Sequence, residues 1–203
     1  HMYYSAGIGD VGHHIRLAVS SQPSGPYVDQ GPVQGIESPF AIDAHVYGHT
    51  DGERYLYFAA DRLEGERPGT CLYVDRLIAP GRVAGRPVLV AHATADWQRF
   101  EASRPMYGGV YDWHTLEGPC AVFRQGRVYV LYSGGNWQND TYGVDFVFAD
   151  HPMGPYVNET RERPRCLRTL PGEVLGPGHN SLAVAPDGKT DVIVYHAWDP
   201  DKT

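Results

Sequence analysis

Three short segments each set a polar or ionisable residue among glycines, prolines and apolar residues, just ahead of a β-like run. They are Ile42-Asp43-Ala44-His45-Val46-Tyr47, Leu116-Glu117-Gly118-Pro119-Cys120 and Gly176-Pro177-Gly178-His179-Asn180-Ser181. Each is followed by a turn and a strand ending in aromatics: Tyr55-Leu56-Tyr57-Phe58, Val128-Tyr129-Val130-Leu131-Tyr132 and Val192-Ile193-Val194-Tyr195-His196. A carboxylic acid, a second carboxylate that biases it and an imidazole are the groups that general acid–base chemistry employs. As an equivalent position in successive repeats, Asp43, Glu117 and His179 are expected to converge on one axis of a radial β-architecture.

The local surroundings sharpen each candidate and keep a plainer reading beside it. Glu117 sits among Leu116, Pro119, Cys120 and Val122, with no other charge between His114 and Arg124. Such a carboxyl is partly desolvated, which raises its pKa and suits a general acid; the other reading is an exposed Glu at a turn. Asp43, between Ile42 and Ala44, either caps a turn or serves a site. If it faces Glu117, mutual repulsion holds a proton on one of the two. The glycines beside His179 let its side chain reach an axial position, while the alternative is a core histidine satisfied by hydrogen bonds.

A metal signal is weak, because zinc wants three or four ligands at fixed spacing. His13, His14, His45, His49, His92, His114, His151 and His196 show no such spacing, and His13-His14 reads as a solvated turn. Trp113, Trp137 and Trp198 lie near the motif strands. Indoles there suit stacking on sugar C–H faces if exposed, or core packing if buried. Gly-x-Ser-x-Gly, Walker, Rossmann and Cys-x-x-Cys patterns are missing from the sequence.

The elements that must position these residues are strands. No window sustains helical periodicity for three turns, and short runs alternate with turns. Asp51-Gly52, Gln125-Gly126 and Asp187-Gly188 mark tight hairpins. An internal repeat is visible: Ile15–Ser20 followed by Pro23-Ser24-Gly25-Pro26-Tyr27-Val28 is echoed by Val144–Ala149 followed by Pro152-Met153-Gly154-Pro155-Tyr156-Val157. Units of this size, roughly Ser38 to His92 and His114 to Val157, are propeller blades of four strands. The chain begins with the back half of a blade and ends with the front half of another.

Composition bounds the partners. The 203 residues suit one domain, spanning 1–203, with His1-Met2 read as a cloning scar. A net charge of −7 without a Lys/Arg cluster argues against nucleic acid and anionic membranes. No apolar run is long enough for a transmembrane helix. Cys71, Cys120 and Cys166 lack metal spacing and read as buried thiols. The expected location is cytoplasmic, or secreted if the chain comes from a longer precursor.

Together these segments resemble glycoside hydrolase family 43, five-bladed β-propellers acting on arabinose- and xylose-containing polysaccharides. Ile42-Asp43-Ala44 looks like the family's Ile-Asp-Pro segment, with Ala44 in place of Pro; Leu116-Glu117-Gly118-Pro119 matches the segment bearing its general acid. Gly176–Ser181, with Val194-Tyr195-His196-Ala197-Trp198, matches the segment whose His points to the axis, and Ser133–Trp137 looks like its strand-end loop. The resemblance implies an incomplete all-β propeller of about three to four blades. It implies inverting hydrolysis of the α-L-arabinofuranosidase/β-xylosidase kind, with Glu117 as general acid, Asp43 orienting it and raising its pKa, and Trp113, Trp137 and His179 contacting sugar.

It also implies no required cofactor, with Ca²⁺ near the propeller axis held by His179 through water. The family's catalytic base is an Asp upstream of the segment resembling Tyr3–Gly7, so no base matches within this chain, and Asp10 is not its counterpart. The alternative function is a non-catalytic carbohydrate-binding propeller fragment. Open blade edges are expected to drive homo-oligomerisation, and a partner's Asp10, Asp199 or Asp201 would be the first candidate to supply the missing carboxylate.

Overall fold

The computed structural model describes residues 1–159, 161–199 and 201. Among them the architecture is all-β, apart from one 3₁₀ turn at Asp96–Gln98. The chain opens with β1 (Met2–Ile8), β2 (Val11–Val19) and β3 (Val28–Pro32), which pair in that order. The first complete blade follows: β4 (Ala41–Gly48), β5 (Arg54–Arg62) and β6 (Gly69–Ala79), with short β7 (Arg82–Val83) and β8 (Val88–Ala91) on the outer side of β6. A hairpin of β9 (Arg99–Met106) and the first half of β10 (Gly109–Arg124) leads into the second blade, built on β10, β11 (Arg127–Gly134) and β12 (Gly143–Ala149). Val157 bridges to Phe148 as its outer strand. The chain closes with the β13 (Leu175–Val184) and β14 (Asp191–Trp198) pair.

Burial follows from period-2 geometry with both faces covered. In β5, Tyr55, Leu56, Tyr57, Phe58, Ala59 and Ala60 are all buried. Leu56, Phe58 and Ala60 face Ile15, Val33 and Val83, while Tyr55, Tyr57 and Ala59 face Leu72, Leu116, Val130 and Tyr132. One continuous apolar run therefore serves two interfaces, one on each side of the blade. The two blades also touch directly, where β6 and β10 pair in parallel at Gly69–His114 and Thr70–Thr115. Gly69 is required there: at φ 151 a Cβ would sit 1.8 Å from the His114 carbonyl oxygen.

The repeat seen in sequence is real in three dimensions. Tyr27 donates its hydroxyl hydrogen to the Pro23 carbonyl at 3.0 Å, and Tyr156 does the same to Pro152 at 2.6 Å. Two sequence expectations need correction. His13 and His14 are part of strand β2, with His13 half-buried against Phe40, so they do not form a solvated turn. Cys71 and Cys120 are buried, but Cys166 is exposed, because it lies outside the blades on the way from β12 to β13. No helix among the described residues is long and apolar enough to cross a membrane.

Candidate active site

The inner strands β4, β10 and β13 share one irregularity. In each, the ladder to the next strand slips by one residue: between Ile42 and His45, between Glu117 and Cys120, and between Gly178 and Ser181. These are β-bulges with one extra residue, and the first inserted residue is left-handed in all three: Asp43 at φ 58, Gly118 at φ 59 and His179 at φ 50. Asp and His are among the few side chains enriched in that region. The register corrects the expected equivalence. Asp43 and His179 occupy the same bulge position, but Gly118 is their counterpart and Glu117 stands one residue earlier, with Ile42 and Gly178.

The bulges turn backbone N–H groups out of the ladder, and each finds a partner from a neighbouring element. Asp43 N–H donates to Ser5 Oγ at 3.1 Å, and His179 N–H donates to Ser133 Oγ at 2.7 Å. Ala59 pairs with Ile42 as Ser133 pairs with Glu117, so the first complete blade carries no hydroxyl at that position. There the Asp43 carboxylate takes over, accepting Gly118 N–H on Oδ2 at 2.9 Å. This bond fixes Asp43 beside the residue that follows Glu117.

Glu117 Oε1 accepts the Tyr142 hydroxyl at 2.5 Å. Ser133 hydrogen-bonds that same tyrosine oxygen, so a chain of donors runs from the β13 bulge through Ser133 and Tyr142 to the acid. Tyr142 is 1 % exposed. It lies flat on Gly178, where any Cβ would come within 1.9 Å of its ring, and stacks on His196 with centroids 5.9 Å apart. His196 in turn stacks on His179. Burial, reinforced by the charge of Asp43, pushes the Glu117 carboxyl up to about 7, against the opposing effect of Tyr142 and His179. Burial also raises Asp43, opposed by His179, the Gly118 N–H and His13. Two buried carboxyls that repel each other favour a shared proton, the arrangement of an acid poised near neutrality.

Glu117 opens onto a cleft of about 240 Å³ lined by Asp10, His13, Phe40, Asp61, Arg104, Trp113 and Trp137 among others. Trp137 is 44 % exposed on its rim, whereas Trp113 is 1 % exposed and forms a buried wall. Asp43 and His179 line a second cavity of about 210 Å³ with His45 and Asn180, behind the bulges. Asp43 and His179 both belong to the axial cavity, and neither is among the lining residues of the Glu117 cleft. Asp199 and Asp201 line neither. Asp10 does reach the cleft, where Arg104 holds it at 2.8 Å.

Sequence reasoning missed Asp61, Tyr107 and Arg104. Asp61 accepts hydrogen bonds from Tyr107 at 2.7 Å and Thr70 at 2.8 Å, and burial raises its pKa. Its signal was available: an acid closing the buried run Tyr55–Ala60. Arg104 comes from the β9–β10 hairpin, which no motif announced, and its guanidinium lies over Phe100 at 4.8 Å.

Residues 1–203 match the model of Glycosyl hydrolases family 43. The chain belongs to that family. It is 28 % identical over 202 residues to the β-D-galactofuranosidase xynD of Aspergillus niger, covering 96 % of this chain and 49 % of that protein. It is likewise 28 % identical over 205 residues to an extracellular exo-α-(1→5)-L-arabinofuranosidase of Streptomyces chartreusis, covering 97 % and 58 %. The solved structure of a thermostable family-43 glycoside hydrolase superposes with a TM-score of 0.82 at 28 % identity, covering 98 % of this chain and 62 % of that one. The chain therefore spans about half the length of these curated relatives, and its strands are part of a family 43 β-propeller.

Proposed function

We propose that this family 43 chain carries the acid half of a glycosidase site acting on furanose- or xylose-containing oligo- and polysaccharides. The observation that carries the reading is Glu117: a buried carboxyl raised to about 7, held by Tyr142 and beside Asp43, opening on a cleft with an exposed indole. Glu117 protonates the glycosidic oxygen. Asp43 orients it through Gly118 and keeps its proton in place. Trp137 offers a stacking face to the sugar. Inversion needs a second carboxylate as base, far enough from Glu117 to leave room for water. Asp10 and Asp61 are the other acids in the cleft, but Asp10 is ion-paired to Arg104 and Asp61 is committed to Tyr107 and Thr70. Neither is free to activate water, which agrees with a base supplied from outside these residues.

The relatives' names support the substrate class, since both β-galactofuranosidase and α-arabinofuranosidase remove furanosides. The Streptomyces relative is named as extracellular, and secretion of this protein fits that name better than a cytoplasmic location. The axial cavity suits a hydrated cation: Asn180 is 4 % exposed, and neither of its amide atoms has a hydrogen-bond partner. Asn180, Asp43 and His179 would hold calcium there, and the ion would supply positive potential behind Asp43. Exposed Val192, Val194, Tyr195 and Trp198 on β14 favour self-association, which light scattering tests directly; a monodisperse monomer removes that part.

The central test is Glu117→Gln in the active protein. Turnover of glycosides with poor leaving groups is expected to fall about 10²–10⁴-fold, with a far smaller loss on activated aryl glycosides, whose phenolate departs without protonation. Equal losses on both would remove the acid role. If binding of arabino- or xylo-oligosaccharides survives while no length of the protein turns over substrate, the non-catalytic carbohydrate-binding reading replaces this one.

A further inference from the structure

We propose that His49, Asp51 and His151 form a site for a divalent transition-metal ion of the zinc class, joining the two complete blades at the end of β4 opposite Asp43. One ligand atom from each of the three side chains lies within 4.8 Å of the others. His49 and Asp51 come from the β4–β5 turn, and His151 from the turn after β12, so the ligands are 100 residues apart in sequence. Spacing along the chain could not reveal them.

The surroundings fix two of the three ligands in productive orientations. Asp51 Oδ1 accepts the Glu53 N–H at 2.8 Å, and Oδ2 accepts the Tyr55 hydroxyl at 2.7 Å. His49 Nδ1 lies 3.0 Å from the Tyr47 hydroxyl. A ring proton on Nδ1 donated to that oxygen leaves the Nε2 lone pair for a metal, with only the Thr50 hydroxyl, 3.5 Å away, to be displaced, the arrangement that outer partners of metal-bound histidines produce. The rings are packed as well: His49 and His151 meet edge to face at 5.5 Å, His49 meets Phe123 at 5.4 Å, and Tyr55 meets His151 at 5.8 Å.

His151 needs a proton shift. Its Nδ1 accepts the Met153 N–H at 3.1 Å, so without metal Nε2 carries the ring proton and faces Asp51 Oδ2 at 3.3 Å. A metal ion takes the place of that proton between the two atoms. The ring proton moves to Nδ1, and the Met153 amide gives up its acceptor. In a tetrahedral zinc site with arms of about 2.0–2.1 Å, ligand atoms stand about 3.3 Å apart. The His151–Asp51 pair already has that spacing, and since all three atoms lie within 4.8 Å of one another, the β4–β5 turn need close by no more than about 1.5 Å to bring His49 in.

The donor set decides the class of ion. Two imidazole nitrogens and one carboxylate oxygen suit zinc, cobalt or nickel and disfavour calcium and magnesium, which seek oxygen. Half-exposed ligands and the lost Met153 bond make the site weaker than a closed four-ligand zinc site. The fourth position is left to water. Because the ion would tie the tip of one blade to the turn of the next, its effect is on stability, and the inference does not depend on the role of Glu117.

The test is zinc titration against a competing chromophoric chelator, with Co²⁺ absorption reporting coordination geometry and thermal unfolding reporting stability. One equivalent of zinc is expected to bind and raise the unfolding midpoint by several degrees. Co²⁺ should give the intense visible bands of a four-coordinate site. His151→Ala and Asp51→Asn should each weaken zinc binding at least tenfold and abolish the stabilisation, their metal-free melting curves serving as the control for folding. His179→Ala should bind as the wild type does, separating this site from the axial cavity. Zinc affinity unchanged in His151→Ala, or an unfolding midpoint unmoved by excess zinc in the wild type, overturns the proposal.

Discussion

The bulge in β10 and the bulges in β4 and β13 share a register but not a residue type. In β10 the left-handed position is a glycine, Gly118, and the chemistry-bearing carboxyl stands one residue before it. In β4 and β13 the same position carries Asp43 and His179, at φ 58 and φ 50. A left-handed non-glycine residue costs of the order of 1 kcal/mol, and such residues gather where a side chain has a task the backbone must accommodate. The difference separates two ways of delivering a group to the propeller axis. Asp43 and His179 ride on the bulge itself and point into the axial cavity. Glu117 uses a strain-free bulge to hold its own position in the ladder, and so faces the cleft.

The largest effect that sharpens this contrast lies in the stability cost of ionising the buried Glu117. Its pKa in the folded protein is near 7, well above the ordinary carboxylate range, so between the two values the unfolded chain releases a proton that the folded chain retains. The contribution is favourable below the ordinary value and is lost as pH rises toward 7. Glu117→Gln keeps the acceptor for Tyr142 without the buried charge. It should therefore be more stable than the wild type by about 1–3 kcal/mol at pH 8, with little difference at pH 4. Urea unfolding at both pH values measures this; a difference independent of pH would mean that Glu117 titrates as an ordinary surface carboxyl.

A smaller effect tests the bulges directly. Gly118→Ala places a Cβ 3.5 Å from the His179 ring, an ordinary contact, so backbone strain alone should cost about 1–2 kcal/mol. Asp43→Asn keeps a residue tolerant of the left-handed region and keeps an oxygen for Gly118 N–H, and should change stability by less than about 1 kcal/mol. It should still lower the pKa of Glu117, because the like charge is gone. If the two variants are equally destabilised, the bulges are not distinguished by conformation.

What was legible in the sequence follows from the range of each signal. Alternation of apolar residues, Asp-Gly turns and the repeated Gly-Pro-Tyr edge are local, and they gave strands, blades and the candidate residues Asp43, Glu117 and His179. Register is not local. The one-residue slip that sets Gly118, and not Glu117, level with Asp43 appears only when each inner strand is paired with its neighbour. Likewise Tyr142 comes from the loop just before β12, Arg104 from an added hairpin and His151 from a turn 100 residues beyond Asp51. Each is positioned by packing across blades, which no spacing rule reads. The tryptophans show the same limit: Trp137 and Trp113 had equal claims in sequence, and burial alone separates them.

The finest test concerns which oxygen of Glu117 carries the proton. Tyr142 donates to Oε1, so the acid proton must reside on Oε2. The tyrosine also favours the charged carboxylate, since its hydroxyl bonds more strongly to an anion than to a neutral acid. Tyr142→Phe retains the ring that lies on Gly178 and stacks on His196, so folding should be little changed. The pKa of Glu117 should then move upward, opposite in sign to the shift from Asp43→Asn. Carbon-13 NMR of glutamate side-chain carboxyls across pH reads both shifts in this chain without any need for turnover. In an active protein the basic limb of the pH–rate profile should follow, upward for Tyr142→Phe and downward for Asp43→Asn. A Tyr142→Phe carboxyl titrating at or below the wild-type value would show that the tyrosine only fills space, and that Glu117 is held by the β10 bulge and Asp43 alone.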